Sequence, residues 1–277
     1  MPPLEIKTKR SWLVFIWSRK MYTRGVSANI RHQAILEQLR RNGRVDVGLL
    51  ADEFDTSPIT VRRDLDQLAA GGVLRRVRGG AVSLMMRGEG LPFSMRALEA
   101  ADLKDRMAVA VGRLVSDGEA VAVDSGTSGL AIARQLASRR LTVMPLSIQS
   151  IVAFAASSTV NLILPGGTAR FDEGSIVGPL AEESLRAFRF DTAVLTCCGI
   201  STADGITAHD LQDASVKRAM IGSSRRTILV AESAKFARTA MAVVCATSAI
   251  DVLVTDEEAP LEELGLLRTA GIDVICV

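Results

Sequence analysis

Ser57-Pro-Ile-Thr-Val-Arg-Arg-Asp-Leu65 gathers two hydroxyls, a proline and two guanidinium groups into nine residues. A small hydroxyl residue followed by proline starts a helix, because the side-chain oxygen takes a free N–H and the ring presets φ. At about 100° per residue, Val61, Leu65, Leu68 and Ala69 fall on one side of that helix. Thr60, Arg63 and Gln67 then point away, with Arg62 on the flank. Hydroxyl, guanidinium and amide groups on one outward face match the donor and acceptor pattern of base edges in a DNA major groove, and Arg63 suits a bidentate contact to guanine. Arg62, Arg44 and the arginines Arg75, Arg76 and Arg78 suit phosphates, which position a protein without specifying sequence. Asp64 and Asp66 oppose that reading unless neighbouring arginines pair with them. A merely solvated helix face is the bland alternative.

A second group of residues has a different chemistry. Asp124-Ser-Gly-Thr-Ser-Gly129 follows an apolar run and leads into a helical pattern. Glycine lets backbone approach closely, and N–H and hydroxyl groups of Ser125, Gly126, Thr127 and Ser128 at a helix start favour an anion. Pro165-Gly166-Gly167-Thr168, Cys198-Gly199-Ile-Ser201, Glu232-Ser-Ala-Lys235 and Thr255-Asp256 each follow another apolar run. In a parallel sheet the segments after the strands converge on one edge. Asp124, Ser125–Ser128, Gly166, Gly167, Gly199 and Lys235 are therefore candidates for one site, with Lys235 adding a point charge. A phosphorylated polyol or sugar fits such a site. A capped strand–helix turn and a surface lysine are the plain alternatives.

Elements must position these groups. Ile30, Ile35, Leu36 and Leu39 give a helix over 29–41, and Val47, Leu50, Ala51 and Phe54 give one face of a second. The helix from Pro58 ends at Gly71-Gly72, and two short strands around Gly79-Gly80 form a wing. Residues 83–93 read as a linker and 94–116 as one helix. Beyond it, strands near 120–124, 141–146, 160–164, 192–197, 227–231, 250–254 and 273–277 alternate with helices near 128–138, 147–157, 179–189, 211–223 and 261–270. Continuous apolar strands alternating with helices imply a mainly parallel sheet covered on both faces.

Composition agrees with two globular domains. The chain has 277 residues, 48% hydrophobic and 23% charged, with a net charge of +2. That sum hides an asymmetry: residues 1–90 hold 16 Lys/Arg against 9 Asp/Glu, and residues 91–277 hold 17 against 22. A basic front and an acidic back place any polyanion at the front. Cys197, Cys198, Cys245 and Cys276 form no CxxC and sit in apolar runs, so reduced, buried thiols in the cytoplasm are expected. No metal or cofactor is expected. The apolar stretch Trp12–Trp17 is too short to span a bilayer and short for a signal segment. Residues 1–28 read as an extension, and Met21 offers an alternative start.

Arg31 through Val82 resembles the DNA-binding domain of the DeoR/GlpR-type family of bacterial transcriptional regulators. The stretches that carry the likeness are Ser57–Leu65 and Gly72-Val-Leu-Arg-Arg-Val-Arg-Gly-Gly-Ala81. The resemblance implies a winged helix-turn-helix with Ser57, Thr60, Arg62 and Arg63 at the DNA surface. It continues to Val277. Asp124-Ser-Gly-Thr, Pro165-Gly-Gly and Ser233-Ala-Lys235-Phe236 are similar to the family's sensor domain, which is akin in fold to ribose-5-phosphate isomerases, glucosamine-6-phosphate deaminases and coenzyme A transferases. Phosphorylated sugars are the implied effectors, and double-stranded operator DNA the implied target. Two segments depart: Pro145-Leu146 stands where the family shows Thr-Asn, and Glu232-Ser-Ala-Lys235 where it often shows Asp-Ser-Ser-Lys.

The expectation is a regulator of sugar or polyol genes, a repressor by resemblance, not an enzyme. Its domains are an extension over 1–28, a winged helix-turn-helix over 29–83, a linker over 84–93 and a sensing and oligomerising α/β domain over 94–277. A homodimer or homotetramer is expected, since half-site recognition rewards symmetry. One alternative is a DNA-binding protein whose second domain only oligomerises. Another is an active isomerase or deaminase using Asp124, Asp204, His209 or Asp210 as base, although Cys197-Cys198-Gly199 stands where the isomerases carry acidic residues.

Overall fold

The structure, a computed structural model, describes residues 27–84, 93–170, 173–236 and 238–277. Of the expected extension only Ser27 and Ala28 lie among them, and of the expected linker only Leu84 and Phe93. The chain divides into two compact units, residues 1–87 and 88–277.

The first unit runs α1 (Ala28–Asn42), β1 (Arg44–Asp46), α2 (Val47–Glu53), α3 (Pro58–Ala70), β2 (Leu74–Val77) and β3 (Gly80–Ser83). Helix α3 starts where its sequence dictates: Ser57 Oγ accepts from the Thr60 N–H at 3.1 Å and Pro58 takes the first turn. Asp46 caps α2 in the same way, through Gly48 and Leu49 N–H. Ile35, Leu36 and Leu39 of α1 join Val47, Leu50, Ala51 and Phe54 and the inner face of α3 in one buried core. Ile30 does not; it is exposed in the first turn of α1. The wing has three strands, not two. Strand β1 pairs antiparallel with β3, giving the order β1-β3-β2.

The second unit opens with α4 (Phe93–Leu98) and α5 (Ala101–Leu114). A single helix was expected over this stretch. It breaks at Ala100, whose φ of 47° is left-handed. No glycine or proline marks the break in sequence. The buried Lys104 stabilises it by donating to the carbonyls of Arg96, at 2.6 Å, and Glu99, which a helix end leaves without partners.

Next come β4 (Ala120–Val123), α6 (Gly126–Leu136), β5 (Thr142–Pro145), α7 (Ile148–Ala155), β6 (Asn161–Leu162), β7 (Thr168–Ala169), β8 (Ile176–Val177), α8 (Pro179–Arg186) and β9 (Phe190–Thr196). Then follow β10 (Gly199–Ser201), β11 (Gly205–Ala208), α9 (Leu211–Gly222), β12 (Ser224–Val230), β13 (Ala242–Cys245), β14 (Val252–Thr255), α10 (Leu261–Thr269) and β15 (Asp273–Cys276). Seven strands form one parallel sheet in the order β15-β14-β12-β9-β4-β5-β6. All seven expected strand runs lie in it. One face is covered by a cluster including Leu185, Met220 and Leu267, the other by one including Met107, Val111, Ile132 and Phe154. The antiparallel sheet β10-β11-β13 and the ribbon β7-β8 are additions the sequence pattern did not announce.

Sequence order reverses between β4 and β9: from β4 the chain builds outward through β5 and β6, then returns to place β9 on the other flank. In open α/β sheets the crevice beyond the strand ends at such a reversal is where ligands bind. Gly126–Ser128 comes after β4 and Cys197 after β9, so both border that crevice.

Candidate nucleic-acid interface and anion pocket

The first unit turns its polar groups outward from a rigid base. Val61, Leu65 and Leu68 of α3 are 0% exposed, which fixes the helix roll. Arg62, Arg63 and Gln67 are exposed on the other side. Thr60 is half-buried, and its hydroxyl lies 2.9 Å from Ser57 Oγ, so these two residues shape the helix start as much as they face solvent. Both acidic residues that weighed against a nucleic-acid face are neutralised. Asp64 is 4% exposed and takes two hydrogen bonds from Arg31, at 2.8 and 3.0 Å. His32 Nε2 lies 3.2 Å from the same carboxylate. The hydrogen bond to Asp64 raises the Arg31 pKa further, against the small cost of burial. Asp66 pairs with Arg76 at 2.9 Å.

That last pair changes one assignment. Arg76, expected at phosphates, is half-buried and donates to both Asp66 and the Gly80 carbonyl, the latter at 2.8 Å. Arg44, Arg75 and Arg78 stay exposed. Arg44 and Arg75 both lie opposite Val82, so they stand on one face of the wing, two strands or about 10 Å apart. Exposed cations at fixed separation beside a helix of exposed hydrogen-bonding groups suit a duplex.

In the second unit, a small cleft opens where Gly126, Thr127 and Ser128 begin α6. Thr196 and Cys197 border it from β9, Val230, Glu232 and Lys235 from β12 and beyond, and Arg96, Glu99 and Lys104 from α4 and α5. Gly126 has φ 88°, a conformation that only glycine takes without strain, and it turns the chain into α6. A Cβ at Gly129 would lie 2.2 Å from the Asp124 carbonyl oxygen, so glycine there lets α6 sit tightly on its strand. Ser125 at the cap position makes no side-chain hydrogen bond. The hydroxyls of Thr127 and Ser128 have no partner among the described residues, and neither has the Lys235 ammonium. Across the cleft, Arg96 pairs with Glu173. Unfilled N–H groups, two hydroxyls and cations converge on one small space, the arrangement an oxyanion requires.

Not every expected ligand residue faces this cleft. Asp124 is 2% exposed and lies behind it. One oxygen accepts from Ser125 N–H at 2.7 Å; the other accepts from Thr196 N–H and Oγ1, at 2.8 and 2.9 Å, and from Lys217. Lys217 also reaches Asp213 at 3.4 Å. Burial disfavours the Lys217 charge, but Asp124 and Asp213 outweigh it and hold the ammonium above the ordinary lysine range. Burial raises Asp213 against the pull of Lys217. Asp124 is thus a structural anchor beneath the loop, with Ser125 buried beside it. Gly166 and Gly167 pack on Leu180, Ala181 and Ser184 of α8, and Gly199 against the Arg238 backbone. At these three positions glycine allows close packing, and none of them borders the cleft.

Known families and proteins match both units. Residues 31–86 match the DeoR-like helix-turn-helix domain, and residues 99–257 match the DeoR C-terminal sensor domain. The chain belongs to the DeoR family of transcriptional regulators. It is 34% identical to the transcriptional repressor AccR of Agrobacterium fabrum over 83% of this chain and 90% of that one. It is 29% identical to the glycerol-3-phosphate regulon repressor of Escherichia coli, over 86% and 94%. The likeness to ribose 5-phosphate isomerase A of Methanocaldococcus jannaschii, with 12% identity, TM-score 0.37 and coverage of 49% and 54%, is too distant to carry an argument.

The structure also places the two departures from the DeoR pattern. Leu146 is 1% exposed in the core, and Glu232 lies 3.7 Å from Lys104 at the cleft. Arg96, Lys104 and Thr196 were not singled out in the sequence. Arg96 and Lys104 sit in what reads as one long surface helix, and only the break at Ala100 turns them to the cleft. The expectation of buried thiols holds for Cys197 alone; Cys198 and Cys245 are half-buried and Cys276, in the edge strand β15, is exposed. Among the described residues no helix is long and apolar enough to cross a membrane.

Proposed function

We propose that this DeoR-family protein is a cytoplasmic repressor of a sugar or polyol operon, binding its operator as a dimer or tetramer and responding to a phosphorylated metabolite. Helix α3 lies in the major groove, with Arg63 on a guanine and Arg62 beside it. Arg44, Arg75 and Arg78 hold phosphates. The effector's phosphoryl group sits at the start of α6, on Thr127, Ser128 and Lys235. The observation that carries the effector half is the cleft itself, where two hydroxyls and an ammonium have no partner among the described residues. The name of the Escherichia coli relative supports a phosphorylated polyol as the class.

Regulation, not turnover, fits the residues around the cleft. Three of the four candidate bases are already engaged. Asp124 is bound by four donors, Asp204 accepts from Thr239 at 2.8 Å, and Asp210 caps α9. Burial pushes the Cys197 thiol up to about 12 and raises Cys198 as well, so neither is a thiolate at neutral pH.

Thermal unfolding with inorganic phosphate, glycerol 3-phosphate and a set of sugar phosphates tests this. A ligand at 100 times its Kd adds ~2.7 kcal/mol of stability. Lys235→Ala removes that gain. The same ligand shifts operator affinity ~5–150-fold, the usual range of such couplings. Indifference to every phosphorylated compound would leave a second domain that only oligomerises, a reading that the buried Leu146 favours.

A further inference from the structure

Helix α3 carries one outward side chain that hydrogen bonding does not explain. Ile59 is 61% exposed in the first turn. At about 100° per residue it lies opposite the stripe of Val61, Leu65 and Leu68, so it occupies the centre of the outward face. Arg63 stands one turn further along the same line. The polar side chains around it are less free: Ser57 caps the helix, Thr60 is tied to Ser57, and Asp66 is tied to Arg76. Isolated exposed aliphatics are common on protein surfaces, but the centre of a groove-facing helix is a place of contact. Isoleucine there also does nothing for the helix, since β-branched residues are weaker helix formers than the long polar ones.

We propose that Ile59 reads sequence by packing on the 5-methyl group of a thymine. In the major groove thymine alone presents a methyl to an apolar side chain. First-turn residues of a recognition helix contact base edges. Ile59 and Arg63 are four residues apart, about 6 Å along the helix, which is under two base-pair steps. The half-site therefore pairs a guanine, read by Arg63, with a thymine no more than two base pairs away, read by Ile59. This rests on α3 being the base-reading helix.

The test uses the full chain and duplexes selected from a random pool by the wild-type protein. Each thymine is replaced by deoxyuridine, which removes only the methyl, and each guanine by 7-deazaguanine. A deoxyuridine in a single half-site weakens wild type about fourfold, the value of one buried methyl-sized group. Ile59→Ala binds the thymine and deoxyuridine duplexes equally, while Ile59→Val keeps most of the preference. The sensitive thymine lies within two base pairs of the guanine whose 7-deaza form weakens wild type but not Arg63→Ala. Indifference of wild type to every deoxyuridine overturns the proposal. So does equal methyl sensitivity in Ile59→Ala, or a loss by that variant that is the same for all sequences. If instead Arg63→Ala keeps every base preference, the reading of α3 fails first, and the two failures are told apart.

Discussion

Arg63 and Lys217 carry the same charge in opposite settings. Arg63 is exposed on α3, with no partner among the described residues. Lys217 is 2% exposed and held between Asp124 and Asp213. The contrast runs through both units. Around α3 and the wing, Arg44, Arg62, Arg63, Arg75 and Arg78 stay solvated with no partner among the described residues, and the acids Asp64 and Asp66 are tied up. Behind α6, charge is turned inward and paired, and it braces a loop whose upper side is left free. Lys235 lies between these extremes, half-buried yet with no partner among the described residues. Under the proposed function, the cations without a partner among the described residues are the ones assigned to a ligand, and the paired, buried Lys217 is assigned to support.

The strongest way to break that contrast is Lys217→Met. It strands Asp124 without its cation, and losing one partner of a buried pair costs about 3–5 kcal/mol. Urea unfolding should show that loss, and Asp124→Asn in the same chain should recover most of it. A loss below ~1 kcal/mol would mean the pair supports nothing. Next in size is Arg63→Ala, which should erase ~1–3 kcal/mol of preference at one base pair. Arg78→Ala should weaken all sequences together and lower the salt slope by about 1. Identical behaviour of the two would end the division into readers and clamps. A smaller effect is expected of Arg76→Ala. Its ion pair with Asp66 is partly solvent-screened, so it should lower first-unit stability by under ~1 kcal/mol and alter DNA affinity less than Arg75→Ala. The mildest test is alkylation at pH 8. Cys276 reacts first, while Cys197, with its thiol pushed up to about 12, stays unmodified until the protein unfolds.

Helix α3 was legible to the residue because its start is written locally, in Ser57-Pro58. The seven-stranded sheet was legible because fully buried strands are continuous apolar runs. Of the residues expected at one site, Gly126–Ser128 and Lys235 do border a common cleft. Asp124 was placed on the wrong side of that loop. Its direction is set by Lys217, 93 positions away, and no local pattern contains that pair. Gly166-Gly167 and Gly199 misled because a glycine needed for close packing looks the same as one needed for a ligand. Ile59 was passed over because a search for hydrogen-bonding groups ignores an aliphatic at the centre of the face. The helix break at Ala100 had no sequence signal, since its stabilising group is a lysine in the next helix.

Arg76 donates from β2 to Asp66 on α3 and to the Gly80 carbonyl on β3, so three elements share one guanidinium. The wing and the reading helix thereby behave as a jig of set pitch. On the proposed operator, such a head leaves adjustment of shape to the duplex. Operators with easily kinked pyrimidine–purine steps between the touched bases should then bind more tightly without any added contact.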